Sequence, residues 1–530
     1  MSHFTLRPLI LALALIGTLT GCDDKKPVQT AQIESQPHAG GILKVAFEGD
    51  PFCLDPQQTG NSWALNMARQ VVDTLTDQDP QSGAIVPWIA KSWEVSADAR
   101  RFTFHLRDDA TFSDGSPVDA AAVKANFDGI VTFAARAPIA SAYIAGLESV
   151  EVVAPYTVSM TFKTPNAQFL QATSTMSLGL LSPSTLARSG EERCQGKVTG
   201  SGPYIYDSFV PNQKATLSRR DDYAWGSSIA GHQGPGWLQG IEFLIIPESG
   251  VRLGSLLSGQ IDVDTGVVIQ DEPTLQARGI ALLARTNPGV VHGLAMNESR
   301  APMNERAVRL AVSKGIDRAE LKNVLSSFQQ TAGSVLARNT PYYSDHSALL
   351  GYDPDGSRKL LDDAGWKVGP DGIRERDGKR LSFKVDYWQS TSALELVQQQ
   401  LKRVGIELLL NKTTFAAVTG QQMKHDYGAA FVSMIRSDPD VLRLVFIATG
   451  FNTNVRQPEA VDDALAQAAQ TLDPQVRKGL VEQASRLLIE EGHAIPLYEQ
   501  VTVTGHGQQV RGLRYEATSR LQLFDTWLER

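Results

Sequence analysis

The sequence predicts an α/β protein with an open sheet, too long for a single core. Three observations carry this. Ile42-Leu43-Lys44-Val45-Ala46-Phe47 is a strand-like run that opens an ordered region near Gly40-Gly41. Between residues 381 and 410 a period-two apolar pattern gives way to a helical one and then to a second short apolar run, as a βαβ unit requires. The 530 residues exceed what one core sustains, and length alone suggests three or so domains.

Taken in order, the elements begin with Arg7 ahead of an apolar run, Pro8 to Leu19, interrupted by Gly17 and Thr18. A charged start and an apolar stretch too short to span a bilayer have the layout of a secretory signal peptide over residues 1–21. Leu19-Thr20-Gly21-Cys22 closes the run and resembles the lipobox of bacterial lipoproteins. That resemblance implies cleavage before Cys22 and lipid on its sulfur and amine; the alternative is an L-x-G-C arising by chance in an ordinary signal peptide. Residues 22–39 contain Asp, Lys, Gln, Pro and Ser and almost no large apolar residue, and read as a flexible tether. Asp23 and Asp24 directly follow the cysteine, a placement that in enteric-type lipoproteins goes with retention on the inner membrane, and otherwise simply begins a polar linker.

Three cysteines occur in all. With Cys22 lipidated, Cys53 and Cys194 remain in an oxidising compartment and are expected to form one disulfide, two buried free thiols being the other reading. The formal net charge is -8 and no basic block occurs, which argues against nucleic acid as partner. No later segment is long and apolar enough for a membrane helix.

The region 381–446 is the most legible. Leu381, Phe383, Val385 and Tyr387 alternate as in a strand; Leu394, Val397, Leu401 and Val404 recur at helical spacing; Gly405 stands where a C-cap belongs; Ile406 to Leu410 is a second strand. Gly428 to Met434 reads as another strand, from which Arg436-Ser437-Asp438-Pro439-Asp440 leaves as a loop. Ligands of open α/β sheets collect at the carboxyl ends of strands, so Arg436 falls at a candidate site.

Several motifs together resemble the bacterial extracellular solute-binding proteins, family 5, which serve peptide, opine and nickel ABC importers. They are Leu54-Asp55-Pro56 after the first strand, Pro87 to Glu94 (P-x-L-A-x-S-W-E in the family), Phe104 to Arg107 leading to Phe112 to Val118 (F-x-L-R, F-S-D-G-T-P-V), and Gly200 to Tyr204 (G-T-G-P-Y). Further on come Gly259 to Asp262, Asn297, Arg306 to Ala311, Gly315 to Arg318, Tyr352-Asp353-Pro354 and Ala364-Gly365-Trp366. Each is weak alone; their order and spacing over nearly the whole chain are specific. Most read as fold-specifying: Asp114-Gly115 is a turn, Tyr204 packs under the Gly202-Pro203 corner, and Trp93, Phe104 and Phe112 are core aromatics.

The resemblance implies a two-lobed periplasmic-binding-protein clamshell with open mixed sheets. Its first lobe would hold 40–292 plus 500–530, with an extra subdomain about 71–198, and its second 293–499. The chain would cross between lobes near His292 and near Glu499. The resemblance further implies a periplasmic monomer, held to the inner membrane by lipid on Cys22, that binds a small peptide-like solute and hands it to permease and ATPase subunits without cofactor or catalysis.

Dipeptide-binding members carry an aspartate three residues before a D-P-D sequence, where it pairs with the peptide ammonium. Here the D-P-D is Asp438-Pro439-Asp440 and the corresponding residue is Ile435, followed by Arg436. An apolar residue cannot pair with an ammonium, whereas a guanidinium suits a carboxylate. The expected ligand is therefore anionic: an opine, a modified peptide or a metal chelate. Arg436 either meets that ligand or pairs with Asp438 or Asp440 and stiffens the loop. Asn61, Ser62 and Trp63 follow the first strand, in a loop that lines the cleft in relatives, and Asn452 and Asn454 follow Phe446; each is a candidate contact, with core cover for Trp63 and solvent-facing turns for the asparagines as alternatives. Arg443 reads as a helix-surface charge and His292 as a buried histidine with its hydrogen bonds met.

A secreted hydrolase is the competing class. No G-x-S-x-G, H-E-x-x-H or Walker loop occurs, and Gly190 to Val198 departs from a phosphate loop in spacing and in its last residue. The nine histidines are scattered, with none four residues from another, so no metal cluster is indicated. A periplasmic chaperone or sensor on the same clamshell is a third reading.

Overall fold

The computed structural model describes residues 36–388 and 391–529. The predicted signal peptide, Cys22, Asp23, Asp24 and the start of the tether lie outside the described residues.

Ile42–Phe47 forms the middle strand of a seven-stranded mixed sheet. It runs parallel to Gly240–Ile245 on one side and to Val263–Asp264 on the other. Beyond the first lie Lys214–Arg219 and Tyr204–Val210; beyond the second lie Val501–His506 and Ala281–Thr286, all antiparallel to their neighbours. Leu43, Val45 and Phe47 are fully buried, and the Phe47 ring stacks on Phe243 with centroids 5.2 Å apart. Each such side chain contributes about 1.5–3 kcal/mol by leaving water.

Ala90–Val95, Arg101–Leu106, Thr157–Phe162 and Leu147–Ala154 form a separate antiparallel sheet in that spatial order. Its own core gathers Phe102, Phe104, Phe112, Phe127 and Phe162 with Phe169, while Trp93 packs half-buried at its edge. The ring of Phe169 lies 4.7 Å from Phe162 and 4.9 Å from Phe102, edge to face.

Cys53 and Cys194 are joined by a disulfide. It ties the loop after the first strand to the short helix Gly190–Cys194. Beside it Arg193 Nε lies 2.7 Å from Asp55 Oδ2, both side chains buried.

In the C-terminal half, Gly289–Met296 is flanked by Ala429–Ile435 and Ala494–Tyr498, both antiparallel to it. Beside them Ser382–Tyr387 and Glu407–Lys412 pair parallel, joined by the helix Ser392–Arg403. Thr391 caps that helix by accepting from the Ala393 N–H, and Leu394, Val397 and Leu401 form its buried face against Phe383, Val385, Ile406 and Leu408. Gly405 has φ +86°, and a Cβ there would stand 2.7 Å from Arg374 Cγ, so only glycine fits the turn out of the helix.

The chain passes from the seven-stranded sheet to the three-stranded one at Asn287-Pro288 and returns at Glu499-Gln500. His292 is the fourth residue of the strand that follows the first passage. All eight residues of Gly289–Met296 are buried.

Candidate functional site

The strand Ala429–Ile435 delivers Arg436 at its carboxyl end. Gly289, φ +114°, lets the two strands close tightly there: a Cβ on it would stand 2.1 Å from the Met434 carbonyl oxygen. The Arg436 N–H donates to the Pro288 carbonyl at 3.1 Å. Its guanidinium is buried, 4.0 Å above the ring of Tyr143 from the helix Pro138–Tyr143. Its Nη2 has no hydrogen-bond partner and no access to solvent. The same two parts of the chain meet again where the Ala167 N–H donates to the Ala469 carbonyl at 3.0 Å.

The loop carboxylates belong to other cations. Asp438 accepts from both terminal nitrogens of Arg477, at 2.6 and 3.0 Å, across to the helix Pro474–Glu490. Asp440 accepts from Arg443 Nε and Nη2, each at 2.7 Å. Burial pushes the Asp440 carboxyl above its ordinary range, with Arg443 pulling the other way. Among the described residues Arg436 forms no ion pair, so the reading in which it neutralises this loop is replaced: Arg477 and Arg443 do that. Arg443 is accordingly a loop brace, its side chain 35% exposed.

Beside the strand end lies a cavity of about 460 Å³, within the usual range for small-molecule sites. Its walls include His292, Tyr387, Trp388, Phe415, Phe431 and Phe451. Thr414 caps the helix Phe415–Met423 and so directs Phe415 to the rim, where its ring meets Trp388 edge to face at 5.4 Å. His292 is stacked between Phe431, at 5.1 Å, and Tyr498, at 4.7 Å. Burial pushes its imidazole down to about 4, which leaves it neutral near pH 7. The expectation of a satisfied histidine is corrected here: Nδ1 is buried without a hydrogen-bond partner. The stack holds the ring by its two faces, and in the plane of the ring no polar group stands within hydrogen-bond reach of Nδ1.

None of the other candidates lines this cavity, although Asn452 stands between Phe451 and Thr453, which do. Asn61 caps the helix Ser62–Val71, its Oδ1 accepting from the N–H groups of Trp63 (2.8 Å) and Ala64 (3.2 Å), while Ser62 is exposed at the first turn. Trp63 packs half-buried over Gly49 and against the seven-stranded sheet's core. Asn452, in the left-handed region at φ +49°, closes a turn by donating to the Arg456 carbonyl. Asn454 is fully buried and donates to the carbonyls of Met296 (3.0 Å) and His493 (2.7 Å), which makes it a strut between strands. The sequence reading missed Tyr387, Trp388, Phe415, Phe431 and Phe451 as one wall. Trp388, at the end of a predicted strand, was the signal available. Among the described residues no group of three or more His, Cys, Asp or Glu stands ready to hold a metal ion, and no helix is long and apolar enough to cross a membrane.

Two sheet systems linked by two crossings, with a cavity at strand ends, define a class: the two-lobed binding protein, with mixed sheets and none closed into a barrel. The chain belongs to the bacterial extracellular solute-binding proteins, family 5, whose middle region matches residues 84–454. It is 28% identical over 364 residues to the nickel-binding periplasmic protein of Escherichia coli (strain K12), covering 66% of this chain and 67% of that one. It is 26% identical over 508 residues to the glutathione-binding protein GsiB of the same strain, covering 92% and 94%. The crystal structure of NikA from Brucella suis in complex with Fe(III)-EDTA superposes with a TM-score of 0.81 at 24% identity, over 92% of this chain and all of that one.

Proposed function

We propose that this chain is the solute-capturing component of an ABC importer. It closes on a small, anionic, peptide-like solute and passes it unaltered to permease and ATPase subunits. The observation that carries the reading is Arg436: a buried guanidinium with an unpartnered Nη2, in a loop whose two carboxylates already have their own arginines. A solute carboxylate that enters while Tyr143 and its lobe stand away from the guanidinium supplies the missing partner. Because Arg436 lies against Tyr143 from the other part of the fold, a solute bound there touches both lobes and favours the closed state, which alone makes both sets of contacts. The lobes in this reading are 40–292 plus 500–530, with the subdomain about 71–198, and 293–499; the distribution of strands among sheets supports the division, with the first crossing drawn back to Asn287-Pro288. Cys22 carries lipid and holds the protein to the inner membrane on its periplasmic side, as a monomer.

A second reading is supported by the nickel-binding relative and by the structural neighbour that holds Fe(III)-EDTA. Here the cargo is an anionic metal chelate. The ligand wraps the ion, and Arg436 meets a chelate carboxylate.

Mass spectrometry of small molecules released on denaturing the purified protein tests both. An anionic solute, metal-free or chelated, is expected, and calorimetry with it should show one site that Arg436→Ala weakens by about one to two decades. Conversion of that solute by the protein, or unchanged affinity in the variant, would overturn the reading.

A further inference from the structure

We propose that the solute carries a planar, uncharged aryl group beside its anion, and that the aromatic cavity next to Arg436 holds this group while His292 reads a polar atom on it. The inference rests on the anion reading of Arg436 and extends it to the rest of the molecule.

The cavity wall is aromatic and electrically neutral. Its carboxylate, Asp386, is only 4% exposed and already accepts from Lys384 Nζ at 2.9 Å and Asn411 Nδ2 at 2.5 Å. A charged tail would find no counter-ion there and would lose its hydration. Trp388, Phe415 and Phe451 stand open at the rim, 45%, 62% and 52% exposed, although such rings are ordinarily covered. A flat apolar group slid between them recovers that area and stacks on them.

His292 adds a polar reader. It lines the cavity, is held in place by Phe431 and Tyr498, and keeps a buried Nδ1 without a partner. A neutral imidazole offers one donor and one acceptor, so it selects a group with a polar atom at that depth over a plain hydrocarbon.

The strand from Phe431 to Met434 lines the cavity, and Arg436 follows two residues beyond Met434. Two residues are about 7 Å of extended chain, short enough for a single small molecule to reach both. An N-aroyl amino acid has this layout: carboxylate, amide, ring.

The test uses mature, ligand-stripped protein and three probes in calorimetry: N-benzoylglycine, N-acetylglycine and benzamide. N-benzoylglycine is expected to bind at least about tenfold more tightly than either partial molecule. His292→Phe keeps the ring stack and should weaken N-benzoylglycine about three- to tenfold while leaving N-acetylglycine unchanged. Phe415→Ala, at an exposed position, should weaken it as well. Equal binding of N-benzoylglycine and N-acetylglycine, both lost in Arg436→Ala, overturns the aryl assignment and leaves the anion reading standing. Equal binding of N-benzoylglycine and benzamide, both indifferent to Arg436→Ala, supports the aryl cavity and overturns the anion reading. Failure of all three probes at millimolar concentration overturns the inference.

Discussion

Replacing Arg436 by methionine should leave the ligand-free protein almost as stable as it was, while replacing Asp438 by alanine, two residues on, should not. In the first case the protein loses a cation–π contact with Tyr143, about 0.5–2 kcal/mol, and also sheds a buried, unpartnered N–H group whose desolvation costs about 1–3 kcal/mol. The two nearly cancel, and the net should stay within about 1 kcal/mol of zero. In the second case Arg477 keeps its bond to the Ala468 carbonyl, at 3.1 Å, and its place over the Tyr342 ring, but loses two charge-assisted bonds inside a pair whose side chains are 8% and 7% exposed. Removing one partner of a buried pair costs about 3–5 kcal/mol. For a lobe of this size that lowers Tm by about 6–20 °C. Thermal unfolding followed by calorimetry on ligand-stripped protein near neutral pH compares the two directly. If Arg436→Met falls as far as Asp438→Ala, the guanidinium is part of the scaffold and the argument for a waiting solute carboxylate fails.

Two further outcomes follow from the same geometry. The native His292 imidazole takes up its proton near 4 and the unfolded one near 6.5, so the unfolded state binds more protons between those values. Stability from this residue is full above about 6.5 and is lost as pH falls towards about 4, by about 3 kcal/mol in all; His292→Phe should flatten that part of the profile when urea midpoints are compared at about pH 7 and about pH 4.5, and an unchanged difference would remove His292 as its source. Gly289→Ala forces a Cβ to within 2.1 Å of the Met434 carbonyl oxygen and 2.8 Å of the Arg436 nitrogen, at a φ of +114°. It should destabilise the protein by more than about 1–3 kcal/mol and misplace Arg436, and a variant with unaltered melting and solute affinity would contradict the close approach.

The sequence by itself determined the local elements. Alternation at Phe383, Val385 and Tyr387, helical spacing at Leu394, Val397 and Leu401, and Gly405 at the cap are near-neighbour patterns, and they form the parallel βαβ unit they predict. The placement of Arg436 after a strand was legible for the same reason, as was the choice of Cys53 and Cys194 as partners once Cys22 is assigned to lipid. The tertiary structure alone decided who pairs with whom. Asp438 finds Arg477 at a distance of 39 positions, Asn454 bridges carbonyls at Met296 and His493, and the cavity draws its rings from several segments between His292 and Phe451. Periodicity reports which face of an element is buried, but it carries no information on which distant side chain will meet that face. A buried charge or ring is therefore assigned its role only when the chain has folded around it.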